Sequence, residues 1–325
     1  MSNALFTTTT KRPRSSVKAI KAPRKPIWRR MKPYGWCYVM FLPVFAYLVI
    51  FRYWPLISQF MLSMVDYSFA KGIFGSDFIG LTNFQRMIES RAFYNVFMNT
   101  LIIAALRIFF SFFPPILLAI FINDVSSRIF RKVTQTIVYI PHFLSWIIVY
   151  GIAYAFLSPG IGIINGWLKD MGKETVAFFT DVNWFRPIVI LTFLWKTSGW
   201  GTIIYLASLS GISVELYEAA NIDGANVWQR LMHITLPGMK PVIVFVLTLN
   251  MGSILASGFE QILLFQTTAT YAVSDTLETW TYRRGLINME FSFAATVGLM
   301  QSLIGFFMVY VTNKLARKYA DSGIY

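Results

Sequence analysis

Six apolar runs dominate this 325-residue chain. Each is about 20 residues or longer, enough to cross a hydrocarbon core as a helix. In that medium no water satisfies backbone N–H and C=O groups, so such runs read as transmembrane helices whose bonds close internally. We place them at 36–57, 95–122, 135–157, 187–210, 241–265 and 291–314. The expected fold class is an all-α membrane protein of six transmembrane helices. Only 14% of the residues are charged, against about 25% in soluble domains. Pro114-Pro115 in the second run and Pro141 in the third each remove a backbone donor, so kinks are expected there. Trp28, Trp36, Trp54, Trp167, Trp184 and Trp280 fall near run ends, where interfacial anchors belong.

The cations orient the chain. Ten of them lie in residues 1–33, "MSNALFTTTTKRPRSSVKAIKAPRKPIWRRMKP". That stretch has neither the short basic region nor the small-residue cleavage site of a signal peptide. It reads as a basic cytoplasmic tail near anionic lipid, with no nucleic-acid partner. With the N-terminus inside, that side receives eighteen Lys and Arg near run ends and the other side eight. The excess puts both termini in the cytoplasm. The rest of the chain, 34–325, forms one domain.

One polar loop, 212–240, breaks the apolar pattern on the cytoplasmic side. Val214–Ala225 is helix-prone, Gly224 permits a sharp turn, and a second amphipathic piece runs from Trp228 to Pro237, which is expected to end it. Tyr217, Ala219, Ala220, Val227, Leu231 and Ile234 supply apolar surface. A helix lying on lipid is the plainer reading, but an anionic leaflet would repel Glu215, Glu218 and Asp223. A docking element for a soluble partner fits better.

The segment "EAANIDGANVWQRLMHITLPGMKP" resembles the EAA loop of permease subunits in binding-protein-dependent ABC importers. The matching residues are Glu218, Ala219, Ala220, Asp223, Gly224, Ala225, Ile234, Leu236, Pro237 and Pro241. Met232-His233 departs from the aromatic or aliphatic residues relatives often carry. "GLTNFQRMI", "VTQTIVYIPHFLSWIIVYGI" and "WGTIIYLASLSGI" extend the likeness to the carbohydrate branch, including its acidic-polysaccharide members such as alginate importer permeases. The resemblance implies a type I ABC importer permease fold in a bacterial inner membrane. It also implies a second permease subunit, two ATPase subunits that bind ATP and Mg, and a periplasmic or lipid-anchored sugar-binding protein. In that family the loop enters a cleft on the ATPase and transmits its closure.

The chain itself offers no catalytic chemistry. It has no GxxxxGK[ST] phosphate loop and no nucleophile motif. His142, His233 and Cys37 are too scattered in sequence to ligate a metal. No cofactor is expected here. Two other classes compete with the importer reading: an ATP-independent secondary sugar transporter and a membrane-embedded enzyme acting on lipid-linked sugar. Charges inside the spans leave a second question open. Arg107 and Lys196 could line a path for an acidic sugar, or Arg107 could pair structurally with Glu260. The small residues Ser198, Gly199, Gly201, Ala207, Ser208 and Gly211 point to close helix contact.

Overall fold

The computed structural model describes residues 34–252, 255–256 and 258–320. The basic tail lies outside them, as does Trp28. The chain divides into two units, Met1–Pro55 and Leu56–Tyr325. Helix α1, Gly35–Ser63, runs across that division. In the first unit it carries Pro43 and a wide-turn segment at Val49–Tyr53, and no residue of Gly35–Tyr53 is buried.

In the second unit the end of α1 is followed by a short element that the sequence reading does not include. Val65–Asp66 (β1) pairs antiparallel with Asp77–Phe78 (β2), two residues a side. Helix α2, Thr82–Glu89, follows. Ser90 then accepts a hydrogen bond from Phe93 N at 3.4 Å and starts α3, Arg91–Asp124, which continues through both prolines. At its far end Arg131 Nη2 donates to the carbonyls of Asn123 (2.9 Å) and Val125 (2.7 Å). Those donors answer carbonyls that a helix C-terminus leaves unpaired.

The third apolar run is not one helix. Helix α4, Arg128–Tyr139, tightens into a 3-10 turn at Ile140–Phe143, and α5, Trp146–Leu157, leaves at 103°. Pro141 lacks an N–H and crowds the preceding turn. Leu144 is extended, and Ser145 restarts the helix by accepting from Ile148 N at 3.4 Å. The short helix α6, Ile163–Asp170, leads to α7, Val182–Ser210.

The fifth run is corrected at both ends. After α8, Val214–Ile222, helix α9 covers Val227–Met251, and a separate helix α10, Phe259–Phe265, follows Gly258 in the left-handed region at φ 81°. Pro237 does not end the second amphipathic piece. A wide-turn segment at Leu231–Thr235 precedes it, with Leu236 N bonding to Leu231 O. Loosening the ladder there gives the proline ring room beside the preceding carbonyls. Helix α11, Leu277–Tyr282, and α12, Phe291–Ala320, complete the chain.

Five continuous helices and the bent α4–α5 pair are thus long and apolar enough to span a membrane among the described residues. Packing centres on α3 and α7. Ile103, Val189, Ile262 and Phe265 form one cluster, and Ile116, Tyr205, Leu209 and Met239 another toward the α8 end. The small residues of α7 do serve close approach. A Cβ on Gly199 would collide with the Val138 carbonyl, and one on Gly201 would lie 3.2 Å from Pro115. Phe109, Phe113, Leu117 and Phe121 form an outward stripe on α3 at helical spacing. Such a face suits lipid tails, which are as apolar as the side chains. Trp36, Trp54, Trp167 and Trp184 are exposed, but Trp280 is 4% exposed and packs with Phe93 and Phe293. Trp280 is a core residue rather than an interfacial anchor.

Candidate functional site

The loop read from the sequence folds into a helical hairpin. Ser213 accepts from Glu215 N at 3.2 Å and starts α8. The helix ends where Gly224 takes φ 76°. Ala225 N donates to Ala220 O at 2.8 Å and Gly224 N to Asn221 O at 3.1 Å. That double closure is a Schellman motif, and it needs a residue comfortable in the left-handed region. Asn226 then starts α9 with a reciprocal capping box. Its N–H donates to Gln229 Oε1 (2.7 Å) and its Oδ1 accepts from Gln229 N (2.8 Å). So Ala220, Gly224 and Ala225 fix the turn, each through the backbone.

Side chains tie the two arms together. Arg230 donates to Asn221 Oδ1, and Tyr217 and Thr235 share a hydroxyl bond of 3.0 Å. At the base, a Cβ on Gly238 would lie 2.7 Å from Ile212. Tyr217, Arg230 and Thr235 also line a cavity of about 240 Å³ with Asn123 and Asp124 at the end of α3. Beside that cavity, Ile212, Leu236 and buried Met239 pack with Ile116, Ala119 and Tyr205, which braces the hairpin's base against α3 and α7. Glu218, Ala219, Asp223 and Gly224 are exposed, and Ile234 and Leu236 are half-buried. Of the apolar residues expected at its surface, Ala219 and Val227 are exposed while Tyr217, Ala220, Leu231 and Ile234 turn partly inward. The reading from sequence missed Leu216, Ile222, Trp228 and Met232, all exposed. Ile222, at the helix end just before the turn, is 87% exposed.

The cations of the spans are held by protein oxygens. Lys196 Nζ, half-buried on α7, donates to the carbonyls of His142 and Leu144, both at 2.6 Å. Those carbonyls belong to the break between α4 and α5, where no helical partner is left. Lys196 also lies 5.5 Å from the Trp146 ring. Beside it His142 stacks on Trp200 at 4.4 Å, nearly parallel, in keeping with a packing residue.

Arg107 is 8% exposed on α3. Its Nη2 donates to Gln261 Oε1, and its guanidinium lies 4.5 Å from the Phe193 ring. Gln261, fully buried, donates in turn to Val189 O and Thr192 Oγ1 at 2.8 Å each. The network joins α3, α7 and α10. A Cβ on Gly258 would meet the Arg107 guanidinium. Among the described residues no Arg107–Glu260 ion pair occurs. Glu260 is exposed in the first turn of α10, not at the end of the fifth span, because the chain breaks before it. Glutamine 261 carried no charge to draw attention in the sequence.

A further charged cluster lies between α10 and α12. Arg283 pairs with buried Asp275 and sits 4.6 Å from the Tyr271 ring. Burial works to lower the Arg283 guanidinium, but its bond to Asp275 and the charges of Asp275 and Tyr271 hold it above the ordinary value. No group of three metal-ligating side chains occurs among the described residues.

A bundle of apolar helices with a braced helical hairpin between its fourth and fifth spans is the plan of a transport permease. The chain belongs to the family of binding-protein-dependent transport system inner membrane components, which matches residues 114–321. It is 37% identical over 305 residues to the polygalacturonan/rhamnogalacturonan transport system permease protein of Bacillus subtilis, covering 94% of this chain and 95% of that one. The arabinooligosaccharides transport system permease protein of the same organism is 29% identical over 283 residues, 86% of this chain and 88% of that one. A chain of the bacterial alginate ABC transporter, solved with its alginate pentasaccharide-bound periplasmic protein, superposes with a TM-score of 0.85 at 37% identity. The match covers 92% of this chain and all of that one. This protein is a permease subunit of a sugar ABC importer, with the type I permease fold.

Proposed function

We propose that the chain imports an acidic oligo- or polysaccharide across the bacterial inner membrane, driven by separate ATPase subunits that seat the α8–α9 hairpin. The carrying observation is the hairpin itself. Its turn is closed by two caps, its arms are bonded to each other and its base is braced, so it moves as one lever. Around the turn it exposes Ile222, Val227 and Trp228 beside Glu218 and Asp223. Exposed apolar side chains rimmed by charge are what a protein partner buries.

In this account ATP and Mg stay on two partner ATPases, and closure of those subunits pulls the hairpin. The spans, together with a second permease, then rock between inward and outward openings as rigid bodies. A periplasmic or lipid-anchored binding protein delivers sugar at the opposite side, and both termini face the cytoplasm. Arg128, Arg131, Lys132, Arg230 and Lys240 near the hairpin end support that orientation.

The acidic sugar is supported by relatives named for polygalacturonan and alginate. Arg107 and Lys196 support it less, since each already serves protein oxygens. If they also line the path with Glu260, neutralising either one weakens uptake of an acidic sugar more than that of a neutral analogue. The test of the main reading is uptake in sealed vesicles carrying the whole importer. Uptake of a galacturonate oligosaccharide should stop on ATP depletion and survive collapse of the ion gradient. The reverse pattern would reject the reading.

A further inference from the structure

At the other end of α3 from the hairpin, a cavity of about 460 Å³ opens between the β1–β2 pair, α2 and the start of α12. Asp66, Tyr67, Arg86, Arg284, Glu290 and Phe291 line it. The four charged side chains are two of each sign. Its walls are fixed by bonds that the transport mechanism above does not use. Buried Asn83 donates from Nδ2 to Ser63 O (3.2 Å) and Val65 O (3.4 Å), and Tyr67 N donates to Ser292 Oγ at 2.9 Å. Arg284 Nη1 forks onto both oxygens of Glu290 at 2.7 and 2.9 Å, while its guanidinium lies 5.7 Å from the Trp280 ring and 5.4 Å from that of Phe293.

That fork closes a turn in which Met289 takes φ 62°. Among the described residues it is the non-glycine residue with positive φ, a conformation that a side chain with a Cβ resists. Such strain persists only where the surroundings enforce it, and it gathers at ligand sites. The turn sets Glu290 and Arg284 side by side at the cavity wall. Tyr67 and Phe291 meet edge to face at 5.7 Å and add aromatic surface.

We propose that this cavity binds one sugar unit of the transported chain through its hydroxyl groups rather than its carboxylate. Carboxylates and guanidinium forks are planar and bidentate, which suits pairs of neighbouring hydroxyls. Aromatic edges and faces suit the C–H surface of a pyranose ring. A lining of zero net charge gives a carboxylate no advantage, so neutral and acidic sugars bind alike and added salt changes little. The inference rests on the saccharide reading above and adds a site to it. On the orientation proposed there, the cavity opens on the side where sugar arrives.

The test is saturation-transfer NMR on the intact importer in nanodiscs, without binding protein. The probes are a galacturonate trisaccharide and its carboxyl-reduced, neutral counterpart. Arg86→Gln and Asp66→Asn alter exposed lining residues that hold none of the wall bonds, and thermal unfolding checks that both variants fold. Both probes should bind the unaltered protein with similar strength, and the double variant should lose about tenfold or more, the cost of deleting charged hydrogen bonds. Absence of transfer from the unaltered protein, or equal binding by the double variant, overturns the site. A strong preference for the acidic probe, abolished by salt, overturns hydroxyl recognition. Vesicle uptake run in parallel separates the two ideas: uptake that proceeds without binding at the cavity rejects this site and leaves the importer reading standing.

Discussion

Lys196 shows how a membrane helix tolerates a charge. The α4–α5 break leaves the carbonyls of His142 and Leu144 without helical donors, and in hydrocarbon each would cost several kcal/mol unpaired. The ammonium supplies both bonds at 2.6 Å. Lys196→Met is expected to destabilise the folded protein by about 2–4 kcal/mol, seen as a lower unfolding temperature in detergent. An unchanged unfolding temperature would leave the lysine free for another role. Arg107 gives a sharper contrast, because its partner is neutral. A double-mutant cycle between Arg107→Leu and Gln261→Leu should show a coupling of about 0.5–3 kcal/mol, while a cycle with Glu260→Gln should show almost none. Strong coupling to Glu260 would restore the ion pair expected from the sequence. These partners were illegible in advance for a plain reason. Lys196 and Leu144 are 52 residues apart, and Arg107 and Gln261 are 154 apart. Charge attracts notice in a sequence, but a glutamine that satisfies an arginine does not.

At the scale of elements, local signals carried far. Ser90, Ser127, Ser145 and Ser213 start helices as their chemistry directs, and Gly224 turns the hairpin where the sequence put it. Two elements were misread. Pro141 announced a kink in the third run but could not announce a 103° bend, which depends on the distant α7 bonding the freed carbonyls. Pro237 reads as a stop in the sequence, yet the wide turn before it lets α9 continue. The small residues of α7 were readable as contact points, and Gly199 offers the test. Gly199→Val would drive a side chain into the Val138 carbonyl and should cost about 1–3 kcal/mol or more through forced separation of α7 from α4. The measurement is the unfolding temperature together with the yield of assembled importer. A variant as stable as the parent would mean that α7 does not depend on this approach.

For the whole molecule, the sequence made the membrane class readable, with five continuous apolar helices and one bent pair among the described residues where it places six runs, because twenty-residue apolar runs admit few other fates. It left the β1–β2 pair, the α9–α10 break and the position of Trp280 unread, since these depend on tertiary packing rather than on pattern. The basic tail belongs to this scale too. Each cation near an anionic leaflet contributes about 1 kcal/mol, so any one is redundant. Removing residues 2–26 should therefore leave uptake near the parental rate in correctly inserted protein, because Arg29, Arg30 and Lys32 still flank the first span. A severe loss of uptake would point to a specific partner of the tail.

The central claim is that the α8–α9 hairpin carries the force of ATP hydrolysis to the spans. Gly224→Pro tests it most directly. Proline cannot adopt φ 76° and deletes the donor to Asn221 O, so the Schellman closure fails while the spans keep their packing. The measurement compares the parent and Gly224→Pro importers in proteoliposomes for subunit content, ATP hydrolysis stimulated by the loaded binding protein, and sugar uptake. The account predicts that the permease still inserts, and that stimulated hydrolysis and uptake fall together by about tenfold or more, a loss of at least ~1.4 kcal/mol in coupling. Full stimulation and full uptake in Gly224→Pro would contradict it.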